Sequence, residues 1–363
     1  MKILILSDAN SVHTQKWVQS LSERGIKVKL FSLFKPRQEI LKKYKNINVE
    51  VASPDLKTKI KKLRQPNLSK LKYLSSLKFL NRVIDDYNPN IIHAHYASSY
   101  GFLAYLCKGK PLILSVWGSD VYDFPSKSII NKLMMKLVIK KSKVVCSTSR
   151  AMKNLIEKDY RRYDIKVIPF GVDVKKFRSD KRFKNFTVGT IKSIEEHNGI
   201  DCLIEAAKIV VKDYKKNIKF LIVGEGSMAE KMKQKTQKYK IEDFFNFAGF
   251  IDHKKIVDYY NEISIFVAVS TRESFGVSIL EAAACEIPSI TSNIGGLTEV
   301  NLHNETGIVI NPNDPIKLAE SIIKLFENDK LRLKYGTNGR KRVLEKFNWE
   351  ASVDKMMQVY KSL

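Results

Sequence analysis

Residues 269–307 read VSTRESFGVSILEAAACEIPSITSNIGGLTEVNLHNETG, and the order of turn, helix and strand inside this stretch decides the fold. Ser270-Thr271 close an apolar run, and Glu273-Ser274-Phe275-Gly276 makes a turn. Val277 to Cys285 then predicts a helix, and Pro288 to Thr291 the next strand. Glu273 therefore falls on a loop before a helix N-terminus, and Glu281 inside the helix. The first-turn amides around Phe275, Gly276 and Val277 have no partner within the helix, so they form an anion site. A carboxylate beside them suits sugar hydroxyls while the amides hold phosphate. Alone, two glutamates with seven residues between them are as readily a surface charge and a loop charge. Together with the turn, the helix-to-strand run and Gly295-Gly296, they form a specific pattern.

The same alternation runs through the rest of the chain and predicts an α/β protein. At the N-terminus Lys2–Leu6 is a strand rather than a signal peptide, followed by a helix from Thr14 to Arg24, stopped by Gly25, and a strand at Val28–Phe31. Further strands are expected at Ile91-Ile92, Leu112–Val116, Lys143–Cys146 and Lys166–Ile168. Ligands of open parallel sheets bind at strand carboxyl ends, which lines up His13, His95 and Asp120 along one edge. A stretch with Pro, Gly and many charges but no apolar period, 171–185, is read as a linker. A second series then begins with a strand at Phe186–Ile191, which contains Gly189, and a loop carrying Lys192 that runs into a helix from Ile200. A cation and a helix start after the first strand of such a domain suit a diphosphate.

Val269–Gly307 resembles the donor-site signature of the family-4 retaining glycosyltransferases, the glycosyl transferases of group 1. Their GT-B fold has two Rossmann-like domains facing across a cleft. The resemblance covers nearly the whole chain and is strongest over 186–310. It implies an N-terminal acceptor domain over 1–170, a nucleotide-sugar domain over 186–346, and a last helix, 347–363, packing back on the first domain. Glu273 would touch the transferred sugar, Glu281 the ribose, and Lys192 the diphosphate. Ser274, Phe275, Gly276, Val277 and Gly189 would complete the donor site, with Phe250 and Ile251 binding the base through backbone groups and His13 approaching the phosphates. Asp120, in VWGSD, and His95 fall on the acceptor side, Asp120 with a catalytic part. Two departures stand out: Asn198-Gly199 replaces a common Lys-Gly pair, and the loop around His13 lacks paired glycines. The implied activity is retaining transfer from a UDP-sugar, or a GDP-sugar, to a glycan or lipid-linked acceptor in bacterial cell-surface polysaccharide synthesis. Neither a cofactor nor an essential metal is expected. An epimerase of the same fold is the alternative.

The chain has 363 residues, is 44% hydrophobic and carries a net charge of +26. Residues 1–172 contribute +21 of that, and 173–363 only +5. Nucleic acid, anionic lipid and phosphorylated substrates all answer to such a field, but no nucleic-acid-binding module is recognisable. Four dispersed cysteines without paired spacing are expected to be buried free thiols in a reducing cytoplasm. Two basic stretches contain no acid. In 56–84, Leu68, Leu71, Leu74 and Leu77 recur at helical spacing and suggest contact with an anionic membrane at its inner face. In 124–156, Ile130, Leu133, Met134 and Leu137 share a face that is expected to pack into the core.

Overall fold

The structure, a computed structural model, describes residues 1–44, 46–52, 71–107, 109–180 and 185–363. It divides into two compact units, Met1–Ile168 with Val353–Leu363, and Pro169–Ser352.

The first unit holds seven strands: β1 (Lys2–Leu6), β2 (Lys27–Ser32), β3 (Asn48–Val51), β4 (Ile91–His95), β5 (Leu112–Val116), β6 (Val144–Ser147) and β7 (Lys166–Val167). Their order is β3-β2-β1-β4-β5-β6-β7, with every pair parallel. The second unit holds β8 (Thr187–Ile191), β9 (Lys219–Val223), β10 (Phe245–Gly249), β11 (Ile265–Ala268), β12 (Ser289–Ser292) and β13 (Gly307–Ile310). Here the order is β10-β9-β8-β11-β12-β13, again all parallel. Strands such as KILIL, LILSV and IFVA are apolar on both faces because a parallel sheet is covered on both faces. In each sheet the direction of strand addition reverses once, at β1/β4 and at β8/β11, and such reversals are where open α/β sheets hold ligands.

The principal helices are α1 (Val12–Glu23), α2 (Leu77–Tyr87), α3 (Ile129–Lys141), α4 (Ile200–Lys208), α5 (Val277–Ala284), α6 (Pro315–Glu327), α7 (Asp329–Lys346) and α8 (Trp349–Lys361). Ser11 caps α1 and Asp314 caps α6, their side chains accepting from amides in the first turn. Among the described residues no helix is long and apolar enough to cross a membrane. All four cysteines are buried and free, and burial pushes the Cys146 and Cys285 thiols up to about 12.

Two findings differ from the sequence expectations, and one further stretch is described only in part. The described part of 171–185 belongs to the second unit: Phe177 is 1% exposed, its ring set edge-on to Tyr260 and His253. The basic stretch 56–84 is described only from Leu71; Leu68 lies outside the described residues. From Leu77 on it is α2, whose Leu80, Val83 and Ile84 join the core of the first unit. In α3 the expectation is inverted. Met135, Val138 and Ile139 are buried and Met134 packs partly against them, whereas Ile130 is 76% exposed and Leu133 55%. The sequence IINKLMMKLVIKK is apolar on more than one side, so its spacing does not choose which side enters the core.

Candidate functional site

The second unit gathers its charged groups at the β8/β11 reversal. Lys192 follows β8, and its amide donates to the Val223 carbonyl at 2.9 Å, which extends the β8–β9 pairing by one residue. Its ammonium donates to Ser270 Oγ, just past β11, at 2.8 Å and to the Glu273 carboxylate. The Lys192 and Glu273 side chains keep 15% and 21% of their surface open. Next along the chain, Gly276 takes the N-cap of α5 at φ +103°, a conformation that favours glycine, and no side chain caps the helix. The amides of Ile279 and Leu280 return to the Gly276 carbonyl, which leaves the earlier amides of the turn as donors for an anion. Ser274 and Val277 are half-buried beside them. Phe275 takes part only through its backbone: its ring is buried against Phe170 and Phe347.

Glu281 lies inside α5, with 12% of its side chain open. One oxygen accepts from Tyr260 Oη at 2.8 Å, and the other lies 3.3 Å from His253 Nε2. Lys176 Nζ sits 2.8 Å from His253 Nδ1 and donates to the His253 carbonyl at 2.6 Å. An ammonium only donates, so Nδ1 accepts and Nε2 carries its proton toward Glu281. Burial first, and Glu281 second, push the Tyr260 hydroxyl well above its usual range, so it stays a donor. Tyr260, His253 and Lys176 were not among the residues singled out from the sequence. Only the folded chain brings them to Glu281 from outside the motif.

Other expected donor residues fare unequally. A Cβ on Gly189 would lie 2.5 Å from Ile263 Cδ1, so that space belongs to a buried isoleucine and no side chain fits at this position in the strand. Asn198, where a lysine is common in the family, is buried and staples its loop, donating to the Ser193 carbonyl at 2.8 Å and Ser193 Oγ at 2.9 Å. Phe250 is 69% exposed and Ile251 half-buried in the loop after β10.

In the first unit the strand ends form an aromatic cluster. The Trp117 ring lies 4.4 Å from that of His95, 5.5 Å from Tyr96 and 5.8 Å from the half-buried His13. Trp117 and Tyr96 directly follow β5 and β4, the same positional signal that singled out His95. Asp120 is 1% exposed. Its Oδ1 accepts from the Gly118 amide at 2.9 Å and the Trp117 amide at 3.2 Å, and its Oδ2 from the Ala97 amide at 2.9 Å. Burial pushes its pKa up while these amides oppose the shift. A carboxylate so enclosed anchors the loops after β4 and β5, and this corrects the expectation that it faces an acceptor. His95 is likewise 1% exposed, with Nδ1 3.0 Å from Ser7 Oγ, so it supports the Trp117 ring from beneath and does not present itself to an acceptor. His13, Asp120 and His95 belong to one unit, and Lys192, Glu273 and Glu281 to the other.

The buried histidines set an acid limit on stability. His93 is wedged between Tyr360 Oη at 2.6 Å and Ser115 Oγ at 2.7 Å, and burial holds its pKa down at about 3; burial also holds His95 well below its usual range. The unfolded chain takes up these protons below about pH 6.5 while the folded chain refuses them, so stability falls as pH drops through that window. For His93 alone the loss at pH 5 is about 2 kcal/mol. Urea midpoints at pH 7.5 and pH 5 measure it, and an unchanged midpoint contradicts it.

Comparison with known proteins agrees with the fold. Residues 172–342 match the family model described as glycosyl transferases group 1, and residues 2–149 match the glycosyl transferase 4-like model. The chain is 28% identical over 305 residues to an uncharacterized glycosyltransferase of Methanocaldococcus jannaschii, covering 82% of this chain and 84% of that one. It is 26% identical over 287 residues to the N-acetyl-alpha-D-glucosaminyl L-malate synthase of Bacillus anthracis, covering 75% and 74%. Among solved structures it resembles a sucrose-phosphate synthase from Thermosynechococcus elongatus, with a TM-score of 0.84 at 20% identity over 100% of this chain and 98% of that one. It also resembles Anabaena HepE solved with UDP and glucose, with a TM-score of 0.83 at 19% identity over 100% of both chains. These are GT-B structures, and the two parallel sheets described above match them. With both of its units matched by models of one enzyme class, this chain belongs to the glycosyl transferases of group 1.

Proposed function

We propose that the protein transfers a sugar, with retention of configuration, from a nucleotide-diphosphate sugar to a glycan or lipid-linked acceptor in cell-surface polysaccharide synthesis. The observation that carries the proposal is the placement of Lys192, Ser270, Glu273 and the uncapped start of α5 at the β8/β11 reversal. The ammonium and the helix-start amides meet the diphosphate, whose charge grows as it leaves. Glu273 accepts from sugar hydroxyls and Glu281, oriented by Tyr260 and His253, from ribose hydroxyls. The acceptor oxygen bonds the anomeric carbon from the face that the diphosphate leaves, its proton passing to the departing phosphate oxygen, and no protein nucleophile or essential metal takes part. UDP is the favoured nucleotide because similar structures were solved with it.

A thermal-shift panel of UDP-, GDP- and ADP-sugars tests the donor, since a ligand that binds only the folded state raises the melting temperature by mass action. A UDP-sugar is expected to give the largest rise, and a flat panel would refute the proposal. Incubating the preferred donor with acceptors and reading the anomeric configuration of the product by NMR tests the rest. An inverted product removes retention, and conversion of the donor without any acceptor points to the epimerase.

A further inference from the structure

Four large apolar side chains on α3 have no cover among the described residues: Ile129 is 86% exposed, Ile130 76%, Leu133 55% and Leu137 38%. At 100° per residue they fall within about a quarter-turn of the helix surface, one continuous stripe about two turns long. The stripe is bordered by Lys132, Lys136 and Lys140, all exposed. No acidic residue occurs anywhere in 124–156. The helix is held firmly from behind. Met135, Val138 and Ile139 are buried, Ser128 caps its start, and Arg162 donates to the Ile139 and Ser142 carbonyls at its end, at 3.1 and 3.0 Å. The exposed stripe is thus a rigid feature of the first unit, which also carries most of the positive charge of the chain.

We propose that this face docks on an anionic bilayer, the isoleucines and leucines entering the boundary between headgroups and acyl chains and the lysines lying among lipid phosphates. Charge selects this occupant. A second copy of the chain would bring lysine against lysine with no carboxylate on the helix to answer it, whereas an anionic surface complements every charge at the rim. The proposal adds a partner to the glycosyl-transfer reading and stands independently of it, since none of these residues lies in the donor site.

The test is sedimentation of the full chain with sucrose-loaded vesicles of phosphatidylcholine alone, or of equal parts phosphatidylcholine and phosphatidylglycerol. The unsubstituted protein is expected to pellet with the anionic vesicles and to remain largely in solution with the neutral ones. The I130S/L133S variant should bind the anionic vesicles at least about tenfold more weakly. The K132Q/K136Q/K140Q variant should lose about a hundredfold, at about fivefold per lysine. Unchanged melting temperatures would show that both variants fold. Three results each overturn the proposal: no sedimentation with anionic vesicles, an I130S/L133S variant that binds as well as the unsubstituted chain, or light scattering that finds a dimer dissolved by I130S/L133S but untouched by vesicles. A chain that ignores every nucleotide sugar yet pellets in this way keeps the membrane face and loses the donor assignment.

Discussion

Lys192→Gln is expected to lower kcat for sugar transfer by about two to three orders of magnitude, the usual loss when a preorganised donor to developing negative charge is removed. The ammonium is held between Ser270 Oγ and the Glu273 carboxylate, which fixes its position at the strand ends. Glutamine keeps the length and a hydrogen-bond donor but not the charge, so binding of the free nucleoside diphosphate should weaken as well. Glu273→Gln should act differently. It removes the acceptor for sugar hydroxyls and also frees Lys192, so kcat falls while nucleoside diphosphate affinity holds or rises. Because the two side chains touch, their effects will not add, and the double variant should lose less than the product of the single losses. Steady-state kinetics and calorimetric titration of the four proteins measure this directly. Unchanged turnover in the double variant would remove the basis of the donor site.

Gly224→Ala is expected to destabilise the second unit by about 3 kcal/mol or more, and to disable donor binding with it. Gly224 sits at φ +141°, where side chains are strained, and a Cβ there would lie 2.0 Å from the Lys192 carbonyl oxygen. That oxygen belongs to backbone, which cannot turn aside as a flexible side chain would. Beyond the strand ends the loop after β8 stays laced to the loop after β9: the Lys192 amide donates to Val223, and the Ile194 amide to the Glu225 carbonyl at 3.0 Å. An alanine therefore either pries the loops apart or moves Lys192 from Ser270. Gly25→Ala is the control, since Gly25 also has positive φ, at +79°, but nothing within 4 Å of its Cβ position. It should cost about 1 kcal/mol from backbone strain alone. Each substitution should lower the melting temperature of its own unit by about 2–4 °C per kcal/mol, so the two shifts should differ by several degrees. Equal shifts would mean that the close approach to Lys192 contributes nothing.

Local chemistry is what the amino-acid order determined by itself. The apolar strands, the caps and stops of the helices, and the turn, helix and strand of Val269–Gly307 follow from patterns a few residues long. They were enough to indicate an α/β chain with Lys192, Glu273 and the start of α5 beside strand ends. What the order could not determine was which neighbours arrive from far along the chain. Tyr260, His253 and Lys176 reach Glu281 only because the short helix Ile256–Asn261, the loop after β10 and the segment before β8 converge, and Ile263 takes the space beside Gly189 for the same reason. Asp120 occupies the strand-end position of a reactive carboxylate, but folding surrounds it with three backbone amides. The α3 helix makes the point most plainly. Its periodicity offers more than one apolar face, and only packing into the core of the first unit decided that Val138 and Ile139 go inside while Ile130 and Leu133 remain outside. Burial depends on every surface that comes together in the fold, and a helix's own sequence contains only one of them.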